Sequence, residues 1–116
     1  MHPILNTVRF RNLFEIFGDT AGLELSASYL EDAQRIIAKI EVAFAAKDVK
    51  AVRAAAHQLK SSAAMMGGMM LAEQCNAIEH EPGDTVECFT QHVANLLILH
   101  QATSQAVNQE TEKMKG

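Results

Sequence analysis

The chain is predicted to be all-α, an antiparallel up-and-down four-helix bundle with an additional N-terminal helix. Three observations lead there. Its 116 residues include no Trp, one Tyr and two Pro beside abundant Ala, Leu, Ile, Met, Glu, Gln and Lys, a mixture that favours helix over a β-sandwich. Apolar residues recur at helical spacing in five segments, and no alternating run of strand length occurs. Short connections at Lys47-Asp48, Gly67-Gly68 and Pro82-Asp84 force sequential helices to run antiparallel.

The elements follow in order. Phe10, Leu13, Phe14 and Phe17 obey the i, i+3, i+4, i+7 rule, and Gly18 stops that helix. Asp19 and Thr20 are candidate caps for a longer helix that carries Leu30, Ala33, Ile37, Ile40 and Phe44 and ends near Lys47. Asp48 reads as the N-cap of a third helix, whose stripe is Val49, Val52, Ala56, Leu59, Ala63 and Met66. Gly67-Gly68 is a poor helix interior and a good helix end. A fourth helix presents Leu71, Cys75 and Ile78 and stops at Pro82-Gly83. The last opens with Asp84-Thr85-Val86-Glu87, which resembles a capping box, and continues through Val86, Phe89, Val93, Leu96, Leu97 and Val107. A polar tail from about Asn108 is expected to fray. One domain is expected over residues 1–116, because this length supports one core.

Composition narrows the function classes. A net charge of −4 gives no general reason to expect nucleic-acid binding. Cys75 and Cys88 sit in helical context and are expected to be reduced thiols. The start MHPILNTVRF lacks the charged end and long apolar run of a signal peptide. The longest apolar run, Leu96 to Leu99, is far too short to span a bilayer. The expectation is a soluble cytoplasmic domain without a membrane partner. His80, His92 and His100 with the two cysteines could be imagined as metal ligands, and Cys88 and His92 have i, i+4 spacing. Cys75 and His100, however, lie on apolar stripes, and four converging ligands are not visible, so no metal site is expected. Met65, Met66, Met69 and Met70 flank a turn, where core packing at the bundle end is their ordinary role.

The segment AHQLKSSAA, Ala56 to Ala64, stands out. At about 100° per residue, His57 lies beyond a right angle from the buried stripe of its helix. The residues sharing its side are either basic (Lys50, Arg53, Lys60) or very small (Ala54, Ser61, Ala64). The small ones occupy the positions that would otherwise shade the ring. A protruding imidazole on a cleared, basic surface suits a large partner, whereas a small-molecule enzyme would want a pocket. A neutral imidazole is nucleophilic through a ring nitrogen near neutral pH. A phosphoryl group on it would add charge that Lys60 can partly offset. Phosphoryl transfer also needs a metal and in-line positioning, and the chain shows neither a carboxylate cluster for Mg²⁺ nor a glycine-rich nucleotide loop. On spacing alone, an ordinary solvated helix face explains these residues at least as well.

The run AHQLKSSAAMMGGMMLAEQCNAIE, Ala56 to Glu79, resembles the signature of histidine-containing phosphotransfer (HPt) domains. Upstream, LFEIFGD (Leu13 to Asp19) and YLEDAQRIIAKIEVAFAAKD (Tyr29 to Asp48) are also similar to that family. The likeness covers most of the chain to about Glu81, and the final helix matches in kind only. It implies that His57 is the phosphorylated residue, that Lys60 supports the phosphate, and that Gly67 and Gly68 match the family's glycine and the small residue after it. Ser61 departs from the glycine usual after the lysine and adds a hydroxymethyl group beside the ring.

The resemblance further implies a monomeric carrier, not an enzyme with free substrate. It would shuttle phosphoryl groups to and from an aspartate on a receiver domain that supplies the Mg²⁺, with a hybrid histidine kinase as one possible source. Lys50, Arg53 and Lys60 would complement an acidic receiver face, Ala54, Ala64 and Met65 or Met69 would form a docking patch, and Gly67 and Gly68 are expected on the same partner-binding face. Helix geometry adds one candidate. His57 lies eleven residues before Gly68 and Glu79 eleven after it, so an antiparallel hairpin brings both to one level. Glu79 is therefore expected either to orient the imidazole through Nδ1 or to be an ordinary solvated glutamate. The competing classes are a helical interaction or regulatory module without phosphotransfer, and the histidine-bearing domain of a chemotaxis-type kinase.

Overall fold

The computed structural model describes residues 3–115. Met1, His2 and Gly116 of the expected domain lie outside the described residues. The chain forms α1 (Thr7–Phe17), α2 (Asp19–Ala45), α3 (Val49–Met66), α4 (Met69–Glu79), a 3₁₀ turn (Val86–Phe89) and α5 (Thr90–Lys115). Helices α2 to α5 close the bundle, each packing on its sequence neighbour and α5 returning to α2, while α1 lies across α2 and α3. At about 1.5 Å per residue, α2 and α5 run most of the 47 Å length of the molecule. No described helix is long and apolar enough to cross a membrane.

The core is built from the stripes. Phe10, Ile36, Ile40, Leu59, Met66, Leu71, Ile78, Phe89 and Leu96 are fully buried, and so are the small Ala56 and Ala63 of α3. Phe17 departs from its stripe and stays exposed, because α1 ends there, while Phe10 and Phe14 are buried and Leu13 packs partly buried against the core. Helix α2 starts directly at Asp19 with Gly18 as its cap, and no side chain caps it.

Two junctions fix the site helices. Asp48 Oδ1 accepts from Ala51 N at 3.1 Å, which starts α3. Gly67 ends it in the left-handed conformation, φ 96°, and a Cβ there would stand 2.7 Å from the carbonyl oxygen of Asn6. Asn6 N donates to Gly67 O at 2.8 Å, so the segment before α1 is seated on the α3–α4 turn.

The fifth helix differs from expectation at both ends. At its start, Thr85 makes no capping bond; its hydroxyl lies 3.3 Å from Cys88 Sγ, and Val86–Phe89 winds as 3₁₀ before α5 begins. Burial of Phe89 draws the chain inward before the helix proper. At the far end the polar segment after Asn108 remains helical to Lys115. Glu110 is buried there and ion-paired with Arg11 of α1 at 2.9 Å and with Lys113 at 2.9 Å. Those two cations hold its carboxyl below the usual range, Lys113 contributing most.

Candidate functional site

Helix α3 presents His57 to solvent, with 67% of its side chain exposed. Its neighbours on that face are small: Ala54 and Ser61 are exposed and Ala64 half-buried. The α3–α4 hairpin brings Glu79, the last residue of α4, level with the ring. Glu79 Oε2 lies 2.7 Å from His57 Nδ1, and its other oxygen pairs with Lys60 Nζ at 2.5 Å. Lys60 also donates to Asn76 Oδ1 at 3.4 Å.

The charges settle the proton positions. The hydrogen bond from Lys60, and after it that from His57, holds the Glu79 carboxyl below the ordinary carboxylate range, although partial burial opposes the shift. A carboxylate can only accept, so His57 Nδ1 is the donor. In the neutral ring the free electron pair then sits on Nε2, which has no partner among the hydrogen bonds of the described residues. His57, Lys60 and Glu79 thus form one cluster, an exposed nucleophilic nitrogen backed by a carboxylate and flanked by an ammonium.

Two groups expected on a docking face are placed otherwise. Arg53 is turned inward: its Nη1 donates to Ile78 O at 3.2 Å and Glu79 O at 3.0 Å, its Nη2 to Gly83 O at 2.8 Å, and its guanidinium lies 4.9 Å from the Phe89 ring centroid. Both Nη groups of its fork donate to carbonyls at the end of α4 and in the loop beyond. Gly67 and Gly68 are buried in the turn, under Asn6 and against Thr103, and present no surface. Lys50 is exposed at the start of α3, whereas Lys60 is tied to Glu79.

Spacing did not reveal a shallow apolar groove of about 710 Å³ between α2 and α3, floored by Ala38, Val42, Ala51 and Ala54 and edged by Arg35 and Lys39. It shares Ala54 with the His57 face. The alanines at those positions look like ordinary helix formers, and only the helix crossing turns them into a groove.

Among the described residues the remaining histidines and cysteines are spread through the structure. His92 receives a hydrogen bond on Nδ1 from Gln74 Nε2 at 2.9 Å and places Nε2 3.1 Å from Glu81 Oε1. His100 is buried beside Gln34. Cys75 is fully buried, its thiol pushed up to about 12 chiefly by burial and then by the Glu79 charge, which leaves it unreactive. Cys88 is exposed, and both thiols are free. Among the described residues no group of three or more His, Cys, Asp and Glu could hold a metal ion.

Comparisons with known proteins bear on this arrangement. No curated protein matches the chain. The fold is similar to that of the crystal structure of histidine-containing phosphotransfer protein B (HptB) from Pseudomonas aeruginosa PAO1. The TM-score is 0.83 over 97% of this chain and 98% of that one, at 19% sequence identity. The Hpt domain family matches residues 24–109, well over half of the chain. With a fold shared over 97% of its length and a family match that spans α3 and α4, the chain belongs to the Hpt domain family.

Proposed function

We propose that this protein accepts a phosphoryl group on Nε2 of His57 from the aspartyl phosphate of a receiver domain and passes it to another receiver, or back. The observation that carries this reading is the exposed ring with Nδ1 engaged by Glu79 and Nε2 open. As neutral His57 attacks, the Nε2–P bond forms, the acyl-phosphate O–P bond breaks, and its electron pair returns to the aspartate as carboxylate. The phosphorylated ring, still protonated at Nδ1, is cationic, and Glu79 lies where it offsets that charge. Lys60, which pairs with the same carboxylate as His57, would exchange Glu79 for a phosphoryl oxygen, and Ser61, one turn beyond His57 on the same face, would donate its hydroxyl to another.

Mg²⁺ and in-line alignment come from the receiver. Docking uses the cleared face around His57, with Lys50, Ala54 and Ala64, and continues onto the α2–α3 groove, whose Arg35 and Lys39 edge suits an acidic partner. The protein acts as a cytoplasmic monomer, for which a hybrid histidine kinase is a suitable source of phosphoryl groups. Incubation with a phosphorylated receiver domain should leave acid-labile, alkali-stable phosphate on the chain. The label should be absent from His57→Gln of unchanged helical spectrum, and transfer persisting in that variant overturns the assignment.

A further inference from the structure

We propose that Arg53 is a positioning residue for His57, acting through the C-terminal end of α4 rather than as a docking cation. This rests on the reading of His57 as acceptor. The carboxylate that engages His57 belongs to Glu79, the final residue of α4. The last carbonyls of a helix have no partner within it, so a terminal turn is the part that frays. Here Arg53 donates to two of those carbonyls, Ile78 O, which also receives Glu81 N at 3.4 Å, and Glu79 O, and to Gly83 O in the following loop. Its positive charge also complements the negative end of the helix dipole. Phe89 lies against the guanidinium at 4.9 Å, and the Asp84 carboxylate stands 3.5 Å from Nη2.

Arg53 and His57 are four residues apart, one turn along the same helix. A single rigid segment of α3 therefore carries both the imidazole and the clamp on the residue that orients it. Releasing the clamp leaves the Glu79 backbone free to move, and its carboxylate then leaves Nδ1 and Lys60. A lysine at position 53 would keep the charge but lacks the planar fork that reaches three carbonyls at once.

The test uses the full chain labelled with ¹⁵N-histidine, as wild type, Arg53→Gln, Arg53→Lys, Glu79→Ala and the Arg53→Gln/Glu79→Ala double variant. In alkaline solution the wild-type His57 spectrum should report the Nδ1–H form. Both Arg53 variants should move it toward the mixture of an unconstrained imidazole, as Glu79→Ala does. Transfer from a phosphorylated receiver should fall by about tenfold, the lower range for loss of an orienting partner, with its salt dependence unchanged. In the Glu79→Ala background, Arg53→Gln should add no further loss.

An unchanged His57 spectrum in Arg53 variants of native helicity overturns the proposal. So does an additive loss in the double variant, or a loss confined to the salt-dependent part of the rate, which would mark a docking cation. If Arg53→Gln does not fold, Arg53→Lys decides by the same spectrum. Should the wild type take no phosphoryl group, the functional reading fails, and the ring spectrum still decides the positioning.

Discussion

His57 and His92 are each paired with a glutamate from the same stretch of chain, yet they are built for opposite ends. Glu79 engages only Nδ1 of His57, the ring stands 67% exposed, and Nε2 is left open. Glu81, two residues on, pairs with Nε2 of His92, whose Nδ1 is taken by Gln74 and whose side chain is only 24% exposed. Glu81 also accepts from Gly83 N at 2.7 Å, and that bond, with the His92 bond next, holds its carboxyl below the usual range. One histidine is oriented and the other is consumed. A glutamate partner alone therefore does not decide whether a ring nitrogen is left open; the partner of the second nitrogen does.

The sharpest way to break this contrast is to exchange the two sites. His57→Gln should abolish the acid-labile phosphate label. His92→Gln should leave transfer within about twofold while lowering stability by roughly 1–2 kcal/mol, the worth of its two hydrogen bonds, read from urea unfolding. Loss of label in His92→Gln with a native spectrum would erase the distinction. The glutamates come next. Glu79→Ala should slow transfer by about 10- to 100-fold, as loss of an orienting partner does, whereas Glu81→Ala should lower the melting temperature and leave the transfer rate unchanged.

Lys60→Ala should have a smaller effect, shortening the life of the phosphohistidine by about tenfold, the equivalent of one charge-assisted hydrogen bond. The same decay in variant and wild type would remove Lys60 from the phosphate.

A third histidine sharpens the comparison. His100 is buried, its pKa is lowered chiefly by desolvation although Glu41 opposes the shift, and its Nε2 lies 3.4 Å from Gln34 Oε1. Such a group supports the fold fully above the ordinary value of about 6.5, and that support is lost as pH falls toward its lowered folded-state pKa. Thermal melts of wild type should therefore weaken below about pH 6.5 more than those of His100→Gln. Parallel curves would contradict it. Further down, Glu79, Glu81 and Glu110, all with lowered values, stabilise the fold above about pH 4.3 and lose that effect as acid titrates them.

The helices are legible in sequence because period and punctuation agree. In α3 the stripe from Val52 to Met66 is apolar, Asp48 caps its start, and Gly67 ends it. The level of Glu79 against His57 can be counted from the turn, since antiparallel helices keep equal rise on both sides. Arg53 is not legible in that way. Position on a helical wheel places its Cβ among the bases, but a long side chain goes where unpaired carbonyls are, and these belong to the end of another helix. Gly67 and Gly68 read as surface from a motif, whereas burial beneath Asn6 and Thr103 depends on where α1 and α5 pass. Glu110 hides for a related reason. It continues the buried series Val93, Leu96, His100, Thr103 and Val107 at helical spacing, but its charge makes the segment look like a solvated tail until Arg11 is brought alongside.

The account turns on which nitrogen takes the phosphoryl group, and a ³¹P–¹⁵N correlated spectrum of the ¹⁵N-histidine-labelled protein after transfer reads it directly. The expected result is phosphorus coupled to Nε2 of His57, with Nδ1 still protonated against Glu79. Phosphorus on Nδ1, on another histidine, or on no histidine at all would contradict it.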